Sequence, residues 1–110
     1  MTLLIKICGL TTPEALDAAI EAGADMAGFV FFAPSPRNLR LPQAERLFAQ
    51  ARGRIAIGAV LVDPEQQLLD DVCELKPDFL QLHGSEKPER LAAIKVDARP
   101  IAVVKGIGVA

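Results

Sequence analysis

Lys6, Cys8, Gln81 and His83 are the residues whose types and spacing could do chemistry in this chain. Side chains two apart on a strand share a face, so KIC at 6–8 would set an amine beside a thiol, and QLH at 81–83 an amide beside an imidazole. A thiolate serves as base or nucleophile, an imidazole moves protons near neutrality, and an amide orients what it touches. Each string runs directly into a glycine, Gly9 or Gly84. Each residue also has a bland reading. A cysteine closing an apolar run is often small core filler, and Cys73, on the apolar side of a helical segment, reads that way throughout. A lone histidine can simply hydrogen-bond a neighbouring loop. Asp63 stands before Pro64, where an N-cap role is sufficient explanation for it.

Lys6 and Lys105 resist such dismissal. Both lie in apolar runs, and charged side chains in central parallel strands are buried only when paired. Something should stand opposite each. The segment FFAPSPRNLRLP at 31–42 is longer than an ordinary loop between strand and helix, and such loops carry binding groups. Its Arg37 is a candidate for a carboxylate or phosphate, which a guanidinium grips with two parallel hydrogen bonds; Arg40 reads as a solvated side chain.

The elements that must position these groups alternate. Apolar runs at 3–8, 26–32, 55–62, 78–83 and 100–105 read as strands. Between them lie segments of helical period: Leu16, Ala19 and Ile20; Ala44, Leu47, Phe48 and Ala51; Leu68, Leu69, Val72 and Cys73; Leu91 and Ile94. Thr12-Pro13 and Asp63-Pro64 mark helix starts, and Gly23 is suited to the left-handed residue that ends the first helix. Strand, helix, strand repetition means a parallel sheet, either open or part of a (β/α)8 barrel. In such sheets ligands gather at the carboxyl ends of strands, where Cys8 with Gly9, Asp63, His83 with Gly84, and Lys105 with Gly106 all fall. A closed barrel takes about 250 residues, so 110 residues make a small open sheet or an unfinished barrel.

Composition narrows the partners. A content of 51% hydrophobic residues supports a buried core, and a net charge of -2 with acids and bases interspersed leaves no electrostatic footprint for nucleic acid or an anionic membrane. No apolar stretch approaches the roughly 20 residues of a bilayer span. The two cysteines have no metal-ligand spacing, and no structural metal is expected. A small-molecule partner and a cytoplasmic location with reduced thiols are the expectation.

Taken together, KICGL at 6–10, GADMAGFVFFAPSPR at 23–37, GAVLVD at 58–63 and LQLHG at 80–84 resemble the phosphoribosylanthranilate isomerases, in order and spacing across residues 3 to 108. The resemblance implies a partial (β/α)8 barrel: an α/β fold with parallel strands β1 to β5 and four intervening helices, residues 1–110 forming the N-terminal portion of one barrel domain. It implies an Amadori rearrangement of a phosphorylated sugar substrate, N-(5-phosphoribosyl)anthranilate, with no cofactor. By this likeness Cys8 is the general base, Arg37 holds the anthranilate carboxylate, Gln81 and His83 line the pocket, and Lys6 supplies positive charge beside the thiolate. The family's general acid, on the sixth strand, and its phosphate loops fall beyond these residues. A fifth helix is expected from about Ala110. The chain by itself is therefore expected to be inactive and to self-associate through open edges, with Lys6 and Lys105 seeking water or another subunit. The alternative is a non-catalytic, self-associating half-barrel. Another sugar-phosphate barrel, such as a ribulose-phosphate epimerase, would share the architecture without the KICG and LQLHG combination.

Overall fold

A computed structural model describes residues 4–105. Gly106 and the fifth-helix position at Ala110 lie outside the described residues. The elements alternate as β1 (Lys6–Cys8), α1 (Pro13–Glu21), β2 (Met26–Phe31), α2 (Leu41–Ala51), β3 (Ala56–Leu61), α3 (Gln66–Glu74), β4 (Phe79–Leu82), α4 (Pro88–Asp97) and β5 (Ala102–Lys105). The strands pair in parallel in the order β1-β2-β3-β4-β5. Each crossover steps one strand in the same direction, and right-handed crossovers then place every helix on one face of the sheet. This is part of a barrel wall.

The two faces differ in burial. Ala27, Phe29, Ile57, Ala59, Leu61, Leu80 and Leu82 alternate along β2, β3 and β4 and are fully buried. They join the helix residues Leu16, Ala44, Leu47, Phe48, Leu69, Val72 and Ile94 in one core cluster. Phe48 of α2 meets Phe29 at 5.1 Å between ring centroids and Phe31 edge-on at 6.2 Å, geometries that aromatic quadrupoles favour. The opposite face carries Lys6, Cys8, Met26, Gly28, Gly58, Phe79, Gln81 and Val104. Among the described residues no helix covers it, and Val104 is 49% exposed there.

At the amino end of the sheet, two αβ connections are built alike. Helix α1 ends in Gly23 at φ 85, and α3 ends in Lys76 at φ 57, each two residues before an aspartate. Asp25 Oδ2 accepts the Ile5 N–H at 2.7 Å, and Asp78 Oδ2 accepts the Ile57 N–H at 2.6 Å. Each aspartate thus ties the start of its own strand to the strand before. Arg52 adds a forked cap on α3, donating to the carbonyls of Leu75 at 2.8 Å and Lys76 at 2.6 Å, where a cation offsets the helix dipole.

Thr12 caps α1 as its sequence suggests, its Oγ1 accepting the Ala15 N–H at 3.1 Å. Asp63 does not cap α3. The helix begins at Gln66 with Glu65 as its N-cap residue, and Asp63, at φ 42, turns its carboxylate to the Ser85 N–H instead. Two extra residues between Asp63 and the helix leave its side chain free to serve the neighbouring loop.

Candidate active site at the strand carboxyl ends

Cys8 closes β1 exposed, on the sheet face without helices. In register it lies beside Gly28 of β2, which pairs with Gly58 of β3 and in turn with Phe79 of β4. The two glycines hollow out this row. A Cβ at position 28 would stand 2.9 Å from Cys8 Sγ, and one at position 58 would strike the ring of Phe79, 2.9 Å from its Cε1. The thiol and the ring therefore occupy space that any larger residue would take. Lys6, one residue pair below Cys8 on the same face, reaches across the sheet and sets its ammonium 5.8 Å from the centre of the Phe79 ring, a cation–π arrangement. The partner required for Lys6 is this ring.

The long loop after β2 is ordered by its own backbone. Ser35 donates to Phe32 O, Asn38 to Ser35 O and Leu39 to Val30 O, and the buried Leu39 anchors the return to α2. Arg37, exposed, is folded back over the turn that follows β1. A Cβ on Gly9 would lie 2.8 Å from the Arg37 Nε, and Gly9 itself takes φ 78, a conformation glycine adopts freely. Arg37 and the Cys8 turn thus meet although 29 positions separate the two residues in the chain. Arg40, also exposed, starts α2 through its backbone, its N–H donating to Gln43 Oε1 at 3.3 Å.

From β4, the amide of Gln81 and the imidazole of His83 stand 2.7 Å apart. The Gln81 amide nitrogen faces Nε2 of His83, so the amide N–H is the donor and the ring nitrogen the acceptor. Among the described residues, Gln81 Oε1 is buried and takes no hydrogen bond. Leaving such an acceptor unpaired costs about 1–3 kcal/mol, which suits a group whose partner is a bound molecule or a further strand.

Lys105 is placed differently from the expectation. By register it lies level with Leu82, on the helix side of β5. Its ammonium, expected to need water or another subunit, has partners within the chain: it donates to the Gly84 carbonyl and to Glu86 Oε1. The Glu86 side chain is 1% exposed. Burial pushes its carboxyl up, but the Lys105 hydrogen bond and the Asp63 backbone N–H outweigh this and hold it below the ordinary range. Sequence reasoning misses Glu86, since an acid in a turn between Ser85 and Lys87 reads as solvated; the unpaired lysine in β5 is the signal that points to it.

Lys6, Cys8, Arg37, Gln81 and His83 therefore belong to one end of the sheet or its open face, drawn from β1, the loop after β2, and β4. A cleft of about 640 Å³ at the opposite end, lined by Cys73, Asp78, Asp97 and Arg99 among others, touches none of them. Cys73 there has its thiol pushed up by burial and then by Asp70 and Asp97, and is a protonated packing residue.

The N-(5'phosphoribosyl)anthranilate (PRA) isomerase family matches this chain over residues 5–107. The chain belongs to this family. The N-(5'-phosphoribosyl)anthranilate isomerase of Afipia carboxidovorans is 55% identical over 107 residues, which cover 94% of this chain and 46% of that protein. The crystal structure of a phosphoribosyl anthranilate isomerase in complex with reduced 1-(o-carboxyphenylamino)-1-deoxyribulose 5-phosphate superposes with a TM-score of 0.87 at 33% identity, covering 99% of this chain and 55% of that one. Mutually generated monomers of the dimeric phosphoribosylanthranilate isomerase from Thermotoga maritima give a TM-score of 0.85 at 33% identity, covering 99% and 55%. The chain spans about half the length of the curated isomerase relatives it matches. Among the described residues, no helix is long and apolar enough to cross a membrane.

Proposed function

We propose that residues 1–110 are the N-terminal portion of a single (β/α)8-barrel domain whose complete form is a phosphoribosylanthranilate isomerase of tryptophan biosynthesis. The observation that carries this reading is the exposed thiol of Cys8 at the end of β1, with Arg37 folded over the adjoining Gly9 turn. The substrate is N-(5-phosphoribosyl)anthranilate. Protonation of its furanose ring oxygen opens the ring to a Schiff base between C1 of the sugar and the anthranilate nitrogen. The Cys8 thiolate removes the proton from C2, and the electron pair left behind neutralises the iminium nitrogen as an enol-amine. Tautomerisation then yields the ketone of 1-(2-carboxyphenylamino)-1-deoxyribulose 5-phosphate. No oxidant, metal or cofactor enters this balance.

Arg37 takes the anthranilate carboxylate with two parallel hydrogen bonds. Gln81 and His83 line the same pocket from β4, and the free Gln81 Oε1 is an acceptor ready for a donor on the substrate. The Lys6 ammonium, held over Phe79 in the Cys8 row, contributes positive potential to the face on which the thiolate forms. The general acid and the phosphate grip belong to parts of the barrel beyond these residues. The chain alone is therefore inactive and self-associates through β1 and β5, and the complete enzyme works in the cytoplasm. In the full-length protein, Cys8→Ser lowers turnover by about 100-fold or more, the loss typical when a general base is removed. Near-normal turnover in that variant would return Cys8 to packing.

A further inference from the structure

The turn that follows β4 is tied down residue by residue. The His83 N–H donates to Leu61 O at 2.9 Å, and the Gly84 carbonyl accepts from Lys105. The Ser85 N–H donates to Asp63 Oδ2 at 3.2 Å, and Glu86 Oε2 accepts the Asp63 N–H at 2.8 Å while its other oxygen takes Lys105. Three strand ends, β3, β4 and β5, thus converge on one carboxylate. The fit is close: a Cβ on Gly84 would stand 2.5 Å from Asp63 Cγ and 2.6 Å from Glu86 Oε2. Asp63 is held at φ 42 to make it, a conformation that non-glycine residues adopt only where their surroundings enforce it.

Stability alone is a poor reason for this arrangement. Removing a carboxylate from water costs several kcal/mol, and a buried ion pair is commonly matched or bettered by apolar residues of the same volume. What an ion pair with several hydrogen bonds supplies is a single geometry. Here the fixed turn begins at His83, two residues beyond Gln81.

We propose that Glu86 is a positioning residue for the isomerase site: by binding the Asp63 N–H and the Lys105 ammonium together, it fixes the 83–86 turn and holds His83 and Gln81 at the pocket wall. This rests on the isomerase reading. The effect runs through the backbone of the turn, so it reaches substrate binding without Glu86 touching the substrate.

The test is steady-state kinetics on the full-length isomerase that contains this sequence, with Glu86→Gln, Lys105→Met, Lys105→Arg and the Glu86→Gln/Lys105→Met double variant, each assayed well below its own Tm. Glu86→Gln keeps an oxygen for the Asp63 N–H but turns an amide toward the lysine. It and Lys105→Met each raise KM by about five-fold or more with kcat within about two-fold, the pattern of lost binding that is equal in ground and transition states. The double variant is no worse than the poorer single one, because both remove the same tie. Lys105→Arg retains a cation and restores KM to within about two-fold of the parent. A tie that merely stabilised the fold would lower Tm and leave KM alone. Parent-like KM in folded Glu86→Gln overturns the proposal, as does multiplication of the two single effects. Should Glu86→Gln not fold, Lys105→Met, at a site 35% exposed, decides the question in its place: a raised KM upholds the proposal and a parent-like KM overturns it. An active parent with unchanged variants sinks this proposal alone, whereas a parent without isomerase turnover sinks the functional reading and this proposal together.

Discussion

The βαβ units 5–31 and 57–84 are alike at the amino end of the sheet and unlike at its carboxyl end. At the amino end, each closes a nine-residue helix with a left-handed residue and then an aspartate that captures the N–H of the strand before. At the carboxyl end, one unit places a cysteine beside Gly28 and then runs into a nine-residue arginine-bearing loop at 32–40. The other carries a glutamine–histidine pair and a four-residue turn locked on Glu86. The amino-end connections have one task, to reverse the chain and start a strand in register, and one solution serves both. In the proposed isomerase the carboxyl ends meet the substrate, and there each side chain would answer a different part of it.

The largest expected effect separates the two aspartates. The Ile57 N–H that Asp78 accepts is partly buried, whereas the Ile5 N–H that Asp25 accepts is exposed. Asp78→Ala costs about 1.5–3 kcal/mol, because a buried donor loses a charged acceptor, while Asp25→Ala costs less than half of that because water replaces the carboxylate. Urea unfolding measures both, and equal losses would show that the two clamps are not graded by burial. Next come the residues before them. Gly23→Ala loses about 1 kcal/mol or more by forcing a side chain to φ 85, and Lys76→Gly gains about half that by relieving φ 57. If Lys76→Gly destabilised the chain, the aliphatic stem of Lys76 would be contributing packing that outweighs its backbone cost.

The smallest effect sharpens the other end. The Glu86 carboxyl is lower in the folded chain than its ordinary value of 4.5. Its bonds therefore stabilise the fold fully above that value and lose their contribution as pH falls through the folded value. A Glu86→Gln variant shows a shallower fall in stability below pH 4.5 than the parent, while Asp25→Ala leaves that Glu86 component in place. An acid limb identical in Glu86→Gln and parent would mean that the turn carries no net protonation linkage.

How much of this was legible follows from the range of the interactions. The face Ala44, Leu47, Phe48 and Ala51 is readable because helical period repeats within four residues, and all four are buried. The Thr12 cap and the Gly23 turn depend only on their immediate neighbours, and both form as read. Asp63 misled because a cap is a local motif, and the local motif lost to a partner in another loop, Ser85. Arg37 could be nominated from its loop, but not its position over Gly9. Glu86 carried no local signal at all.

Periodicity and turn chemistry, printed in the order of residues, were enough to determine five parallel strands, four helices and the end of the sheet on which the polar groups gather. Only the tertiary structure decided which side chains meet: Lys6 with the Phe79 ring, Arg37 with the Cys8 turn, and Lys105 with Glu86 on the helix side of β5. Those pairings join residues far apart in the chain, and they exist because strand register sets neighbours laterally across the sheet, a direction that the linear order of residues does not record.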